Sequence, residues 1–307
     1  MRETLSSRRA AIAIGIAVVA TFVAACGSDE SGTADRSQLA VPWVDPDGDT
    51  PIVGSLSVNP ADSTLFMGTN TGLFRIADDA SEPEKLTGKL STPDGDGQVS
   101  AALVAEFTGP QELIASGHPA EGEGLPPALG LIRSADAGKT WTSVSQLGKT
   151  DFHTLELSQG RIVAALYQQA QVLVSTDDGK TWETRAGPMP LTALEVDPAD
   201  TDRWIASTER GTFVSTDGGQ TWRQRDAIPH ARFAWHEAGE VFRIDPGGPV
   251  KVSTDGGESW EERGSTGGEP QALEVDDEGT LYAALRDGTL KASRDGGRTF
   301  TERVKGG

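Results

Sequence analysis

The chain is poor in cysteine, tyrosine and basic residues, and each shortage removes a class of function. One cysteine in 307 residues allows no internal disulfide and no thiolate-based zinc or iron–sulfur site. Lys and Arg number 27 against 46 Asp and Glu, a net charge of -19. That balance repels phosphate backbones, so nucleic acid is not an expected partner. Two tyrosines leave little choice for a phenolic nucleophile. Four histidines are spread along the chain with no i, i+4 pair, so neither a metal nor another cofactor is expected.

The longest apolar run lies at the N-terminus, from Ala10 to Ala25, and is short for a spanning helix. It follows Arg2, Arg8 and Arg9 and ends in Val23-Ala24-Ala25-Cys26, the layout of an export signal. Small residues before the single Cys resemble the lipobox of bacterial lipoproteins. The resemblance implies cleavage after residue 25, diacylglycerol on the Cys26 sulfur and acylation of the new amino terminus. Two or three acyl chains exceed what a stable membrane anchor needs. The expectation is an exported protein held by lipid on the extracytoplasmic face. Residues 26–38 are rich in Ser, Gly and Asp and read as a flexible tether. Such a tether holds the following domain, residues 39–307, about 20 Å from the lipid.

Within that domain one octet recurs: SADAGKTW, STDDGKTW, STDGGQTW, STDGGESW and SRDGGRTF. The starting serines are spaced by 41, 40, 38 and 40 residues, a regularity that chance does not produce. The repeated positions are Ser134, Asp136, Gly138 and Trp141; Ser175, Asp177, Gly179 and Trp182; Ser215, Asp217, Gly219 and Trp222; Ser253, Asp255, Gly257 and Trp260; and Ser293, Asp295, Gly297 and Phe300. Gly tolerates positive φ and Asp bonds nearby backbone N–H groups, so each octet predicts a tight hairpin between two strands. Two earlier strand-like runs complete each unit, giving four strands in about 40 residues, the size of a propeller blade.

The octet resembles the Asp-box, S-x-D-x-G-x-x-W/F, also called the BNR repeat. It occurs in sialidases, sortilin-type receptors, some endoglucanases and a photosystem II assembly factor. The resemblance covers most of the domain and implies an all-β fold, a propeller of four-stranded antiparallel blades joined by Asp-box hairpins. It does not select a function, because its bearers include hydrolases, receptors and assembly factors. Gly72 to Asp78 aligns with Gly211 to Asp217, which adds a degenerate blade with Ile76 in place of Ser. Six blades result, with extra residues placed at Ser91–Gly97 and His118–Pro127; a seventh, partial blade from Leu39 to Trp43 stays open.

The alignment assigns the box aromatics and Trp235 to packing. It also sorts the polar residues by end. The box hairpins share one end of the ring, so the connections between second and third strands and those between blades share the other, where propellers bind ligands. His118, Glu121, His153, Arg210, His230, Arg243 and Arg286 are the candidates for that face. Glu156, Glu195 and Glu274 recur at one inner-strand position. They line the central channel and attract a cation, or they pair between blades with Arg or backbone amides.

Other resemblances fail on spacing. Gly138-Lys139-Thr140 and Gly179-Lys180-Thr181 lack the leading Gly of a phosphate loop, and Asp45 to Asp49 lacks the turn Gly and final Glu of a calcium loop. Against the sialidase pattern, Phe74-Arg75-Ile76-Ala77 lacks the Pro of the Phe-Arg-Ile-Pro motif, and Phe242-Arg243-Ile244-Asp245 falls in another blade. Tyr167 and Tyr282 sit where packing residues belong. The expected function is a binding or scaffold module for a protein or glycan. A sialidase-like glycoside hydrolase is the alternative, with no catalytic residues assigned.

Overall fold

The computed structural model describes residues 52–306, except 79–81, 101–102 and 167–168. Its strands form six sheets arranged in a ring, five of them four-stranded and antiparallel in plain chain order. Blade 1 holds Val53–Val58, Leu65–Thr69, Gly72–Ile76 and Glu84–Leu86. Blade 3 holds Thr154–Ser158, Arg161–Leu166, Gln171–Ser175 and Glu183–Ala186. Blade 4 holds Leu191–Val196, Trp204–Thr208, Gly211–Ser215 and Arg223–Gln224. Blade 5 runs from Arg232–Trp235 through Val241–Ile244 and Pro249–Ser253 to Glu261–Ser265. Blade 6 runs from Pro270–Val275 through Leu281–Leu285 and Leu290–Ser293 to Thr301–Val304. The first strand of each blade touches the first strands of both neighbours, and that of blade 6 returns to that of blade 1, so these strands surround the central channel.

Blade 2 departs from the pattern. Leu103–Gly109, Glu112–Gly117, Leu131–Ser134 and Thr140–Ser145 make the expected four strands. A hairpin of Gly88–Thr92 and Gly95–Val99 then adds two more, by parallel pairing of Leu90 with Trp141. The extra residues predicted in the first two blades are therefore this hairpin, whose turn carries Pro93-Asp94, and the 118–130 connection. Gly88 is required where the hairpin crosses the box: a Cβ there would lie 2.3 Å from Trp141 Nε1. Leu39 to Trp43, the candidate for a seventh blade, lie outside the described residues, and the described sheets close into six blades.

Six hydrophobic clusters make up the described core, and each is shared by two adjacent blades. Val163 and Val174 of blade 3 pack with Leu194 and Trp204 of blade 4, for example. Phe74 and Ile76 of blade 1 pack with Tyr282 and Leu290 of blade 6. Ring closure therefore rests on side chains, helped by the Val53 N–H donating to Gln271 Oε1 at 2.6 Å. The box aromatics belong to these seams, as expected, but unequally. Trp141 is buried at 2% exposure beneath the added hairpin, whereas Trp182, Trp222, Trp260 and Phe300 are half-buried.

The five boxes repeat one hydrogen-bond pattern. A buried Ser Oγ accepts the N–H of the box Gly at 2.8–2.9 Å and donates to the Asp Oδ1 at 2.7–2.8 Å. The same Oδ1 accepts the N–H of the Thr or Ser before the aromatic, and Oδ2 accepts that residue's hydroxyl at 2.5–2.6 Å. The Gly is needed at Gly219, with φ +78°, where a Cβ would stand 2.2 Å from the Trp204 ring. The hydroxyls of Thr181, Thr221 and Ser259, with the backbone N–H groups behind them, hold Asp177, Asp217 and Asp255 down at about 2.

These carboxyls titrate near 3.8 when unconstrained, so their folded values are depressed. Stability that depends on the ionised boxes is present above that value and is lost as pH falls towards about 2. An acid titration followed by tryptophan fluorescence should show unfolding in this window. The Asp217→Asn, Asp255→Asn variant should show a shallower acid loss, and an unchanged acid limb would contradict the assignment.

Candidate functional site

Antiparallel connectivity gives the ring two different ends. The box hairpins lie with the connections between first and second strands, as the Gly218 N–H bonded to the Asp202 carbonyl at 2.9 Å shows. At the opposite end, the connections between second and third strands meet those between blades. There the Arg286 N–H bonds the Glu269 carbonyl and the His230 N–H bonds the Thr208 carbonyl.

Six of the seven candidates for this loop end are exposed: His118, Glu121, His153, Arg210, His230 and Arg286. Arg243 is the exception. It lies on the second strand of blade 5, 1% exposed, with its guanidinium paired to Asp245 and to Asp226 Oδ2 at 2.6 Å, and above the Trp260 ring at 5.2 Å. Lys251 joins the same Asp245 at 2.9 Å. Two carboxylates compensate the buried cation, which makes Arg243 a brace inside the ring and not a surface group. The alignment placed it by sequence position, but it belongs to a strand buried on both faces, so neither orientation reaches solvent.

The structure brings only two of the exposed candidates into one constellation. His118 leaves the second strand of blade 2, and His153 lies in the connection to blade 3. Their Nε2 atoms stand 2.6 Å and 2.9 Å from the same oxygen, Asp151 Oδ2. Among the described residues this is the one trio of possible metal ligands whose donor atoms lie within 4.8 Å of one another. Spacing rules for ligands on one helix or strand miss it, because the three residues come from two connections. The Asp151 carboxylate raises the His153 imidazole above its ordinary value, against the opposing effect of burial.

The channel holds the second constellation. Glu156, Glu195 and Glu274 stand on first strands opposite Val163, Ile205 and Tyr282. Glu106, opposite Ile114, occupies the same register in blade 2, and Ser57 and Ala234 fill it in blades 1 and 5. Glu106 was absent from the predicted set, although Val104-Ala105-Glu106-Phe107 matches Ala193-Leu194-Glu195-Val196 in pattern. No Arg reaches the four carboxyls among the described ion pairs. Instead Ser57 bonds Glu106, the Trp235 N–H bonds Glu195 and the Val275 N–H bonds Glu274.

Burial in the channel lifts all four carboxyls above the usual range. Glu274 is pushed up to about 8, with Asp276 and Asp277 adding repulsion against the Val275 N–H. Glu106 is raised first by burial and then by Glu274 and Glu195, Glu156 by burial and then by the other three, and Glu195 by burial and then by Glu274. The channel is therefore a set of carboxyls that repel when ionised, able to hold protons or attract cations. Of the two sequence readings, pairing with Arg finds no partner among the described ion pairs, while pairing with a backbone amide of the next blade is met by Glu195 and Trp235, so the carboxyls line the channel and are paired between blades in part.

The residues nearest to the sialidase pattern are engaged elsewhere. Tyr282 is 2% exposed; its hydroxyl donates to Asp276 Oδ2 at 3.1 Å, and burial and Asp276 push it up to about 12. Arg75 lies exposed beside Glu84 at 3.4 Å. Tyr167 lies outside the described residues. An open depression of about 420 Å³ on the last blade is lined by Arg294, Asp295, Thr299 and Arg303. Its carboxylate, Asp295, is already bound within the box, so it adds no separate chemistry.

Known proteins agree with this architecture. The family model for Sortilin, neurotensin receptor 3, matches residues 130–240, and the BNR/Asp-box repeat matches residues 251–262. No curated protein matches the chain. Among solved structures, YCF48 from Cyanidioschyzon merolae is 14% identical with a TM-score of 0.51, the match covering 82% of this chain and 85% of that one. An ancestral GH74 enzyme is 14% identical with a TM-score of 0.53, over 84% of this chain but only 39% of the enzyme. The extracellular domain of the putative one component system BT4673 from B. thetaiotaomicron is 13% identical with a TM-score of 0.50, over 80% and 38%. At such identities the likeness concerns fold. The chain is a six-bladed β-propeller built on Asp-box repeats.

Proposed function

We propose that the chain is an exported lipoprotein whose propeller works as a binding or scaffold module for a protein or glycan at the outer face of a membrane. The observation that carries the binding reading is the employment of the hydrolase-like residues in the framework. Arg243 braces Asp226 and Asp245, and Tyr282 is buried against Asp276, while the loop end keeps its polar residues in solvent. Functional residues concentrate on such scaffolded loops. The anchor rests on Cys26 and the apolar run before it, which lie outside the described residues.

Two experiments test the two halves. Cells expressing the chain should incorporate labelled palmitate into it and retain it in the membrane fraction. Cys26→Ser should abolish both, and equal labelling of the variant would refute the anchor. Cross-linking in intact membranes, beside a glycan array, should return a partner whose capture is weakened by substitutions at Arg210 and Arg286. Turnover of fluorogenic glycosides by the purified domain would replace the binding reading with the hydrolase one.

A further inference from the structure

The connection from blade 2 to blade 3 is organised around Phe152. Its ring is 1% exposed and packs on Trp182 with centroids 4.9 Å apart. Its N–H donates to the buried Ser116 Oγ at 3.0 Å, two residues before His118. The next N–H, that of His153, bonds the Ala165 carbonyl at 3.2 Å. In extended chain, neighbours of an inward residue point outward, so burying Phe152 turns Asp151 and His153 together towards solvent. The three polar side chains thus sit on backbone fixed at several points.

The tautomer of His118 follows from its other contact. Its Nδ1 lies 2.7 Å from the Pro127 carbonyl, which can only accept, so Nδ1 carries a proton. Its Nε2 faces the Asp151 carboxylate oxygen 2.6 Å away. A proton on Nε2 bridges that contact in the metal-free protein, and a metal ion taking its place would be held by the imidazole lone pair and the carboxylate together. A metal-bound histidine characteristically gives its second ring N–H to a carbonyl or carboxylate, and the Pro127 carbonyl supplies that outer partner.

We propose that His118, Asp151 and His153 bind a divalent transition-metal ion of the zinc class, with a fourth position open to solvent. Two imidazole nitrogens and one carboxylate oxygen suit such an ion. Calcium and magnesium prefer all-oxygen sets. The imidazoles are about half exposed and Asp151 is 16% exposed, so water or an incoming donor atom completes the coordination on the outer side. Bonds of about 2.0–2.1 Å place tetrahedral ligand atoms about 3.3 Å apart. The present 2.6 Å and 2.9 Å separations therefore widen by less than 1 Å on binding, a swing that exposed rings can make.

The test uses the full domain produced without a histidine tag and stripped with chelator. Calorimetry with Zn²⁺ should give one equivalent per chain, and Co²⁺ should give the visible absorption of a tetrahedral site. His118→Ala and Asp151→Asn should each weaken binding at least about 10–100-fold, the loss that removal of an outer partner alone causes. If Asp151→Asn melts early, His118→Ala, in an exposed connection, decides the question. Absence of stoichiometric Zn²⁺ binding, unchanged binding in a His118→Ala, His153→Ala double variant, or equal affinity for Ca²⁺ would overturn the proposal.

Discussion

A variant with Gln at Glu106, Glu156, Glu195 and Glu274 is expected to melt well above the parent at pH 7.5 and to match it closely near pH 3.5. The four carboxyls have folded values above the unfolded value of 4.5, because burial and mutual repulsion disfavour their ionised forms. Below about pH 3.5 both states hold most of these protons and the groups contribute little, whereas at 4.5 the unfolded chain has already released about half of them. Between about 3.5 and 8 the unfolded chain releases protons that the folded channel retains, so stability falls as pH rises. A shift as large as that of Glu274 corresponds to a loss on the order of a few kcal/mol. Gln preserves the size of each side chain and accepts the Trp235 and Val275 N–H groups while removing the titration.

The parent should therefore be most stable near pH 4–5, between acid loss at the boxes and neutral loss in the channel. Thermal melts in chelator at half-unit pH steps measure both limbs. A parent profile flat from pH 5 to 8, or a quadruple variant less stable than the parent at pH 7.5, would refute the repelling channel. Added cations supply a further reading: an ion held by the carboxylates should raise the parent's melting temperature at pH 7.5 and leave the Gln variant unmoved.

Trp141→Ala should cost about 3–5 kcal/mol, the loss typical of a fully buried tryptophan. Trp141 is enclosed by Leu113, Leu129, Ile132 and the hairpin residue Leu90, and its Nε1 donates to the Gly138 carbonyl at 2.9 Å. Trp222 fills the same box position in blade 4 but has no covering hairpin. It is half-buried beside Trp204, with centroids 6.0 Å apart. Trp222→Ala should accordingly cost clearly less, and urea unfolding of the two variants measures the difference. Equal losses would mean that the hairpin contributes no burial to the seam.

What was legible in the chain followed from periodicity. The octet spacing marked five blades, because a hairpin that must repeat its Ser–Asp–Gly bonding cannot drift in sequence; the sixth came from the Gly72–Asp78 alignment, and a seventh was left open until the sheets closed into six. Glu156, Glu195 and Glu274 were found by the same alignment. Glu106 escaped because the 88–99 hairpin and the 118–130 connection broke the period on both sides of its strand. Parallel pairing of that hairpin with the outer strand of blade 2 has no local signature, since partner choice at a sheet edge depends on what stands nearby. Arg243 resembled a surface residue until its two carboxylate partners, one from the preceding inter-blade connection, were brought around it. His118 and His153 are 35 positions apart, and only the seam between blades 2 and 3 makes them neighbours.

The sharing of every hydrophobic cluster between two blades also governs the order in which the molecule can form. Phe74 and Ile76 obtain their partners Tyr282 and Leu290 only when some 200 residues more have been made. Contacts so distant in sequence carry a large loop-closure cost and form slowly. During synthesis the first blade must wait with one greasy flank uncovered, and each added blade moves the growing flank along without removing it. The final seam is thus a kinetic gate: assembly is complete only when the two ends of the domain find each other.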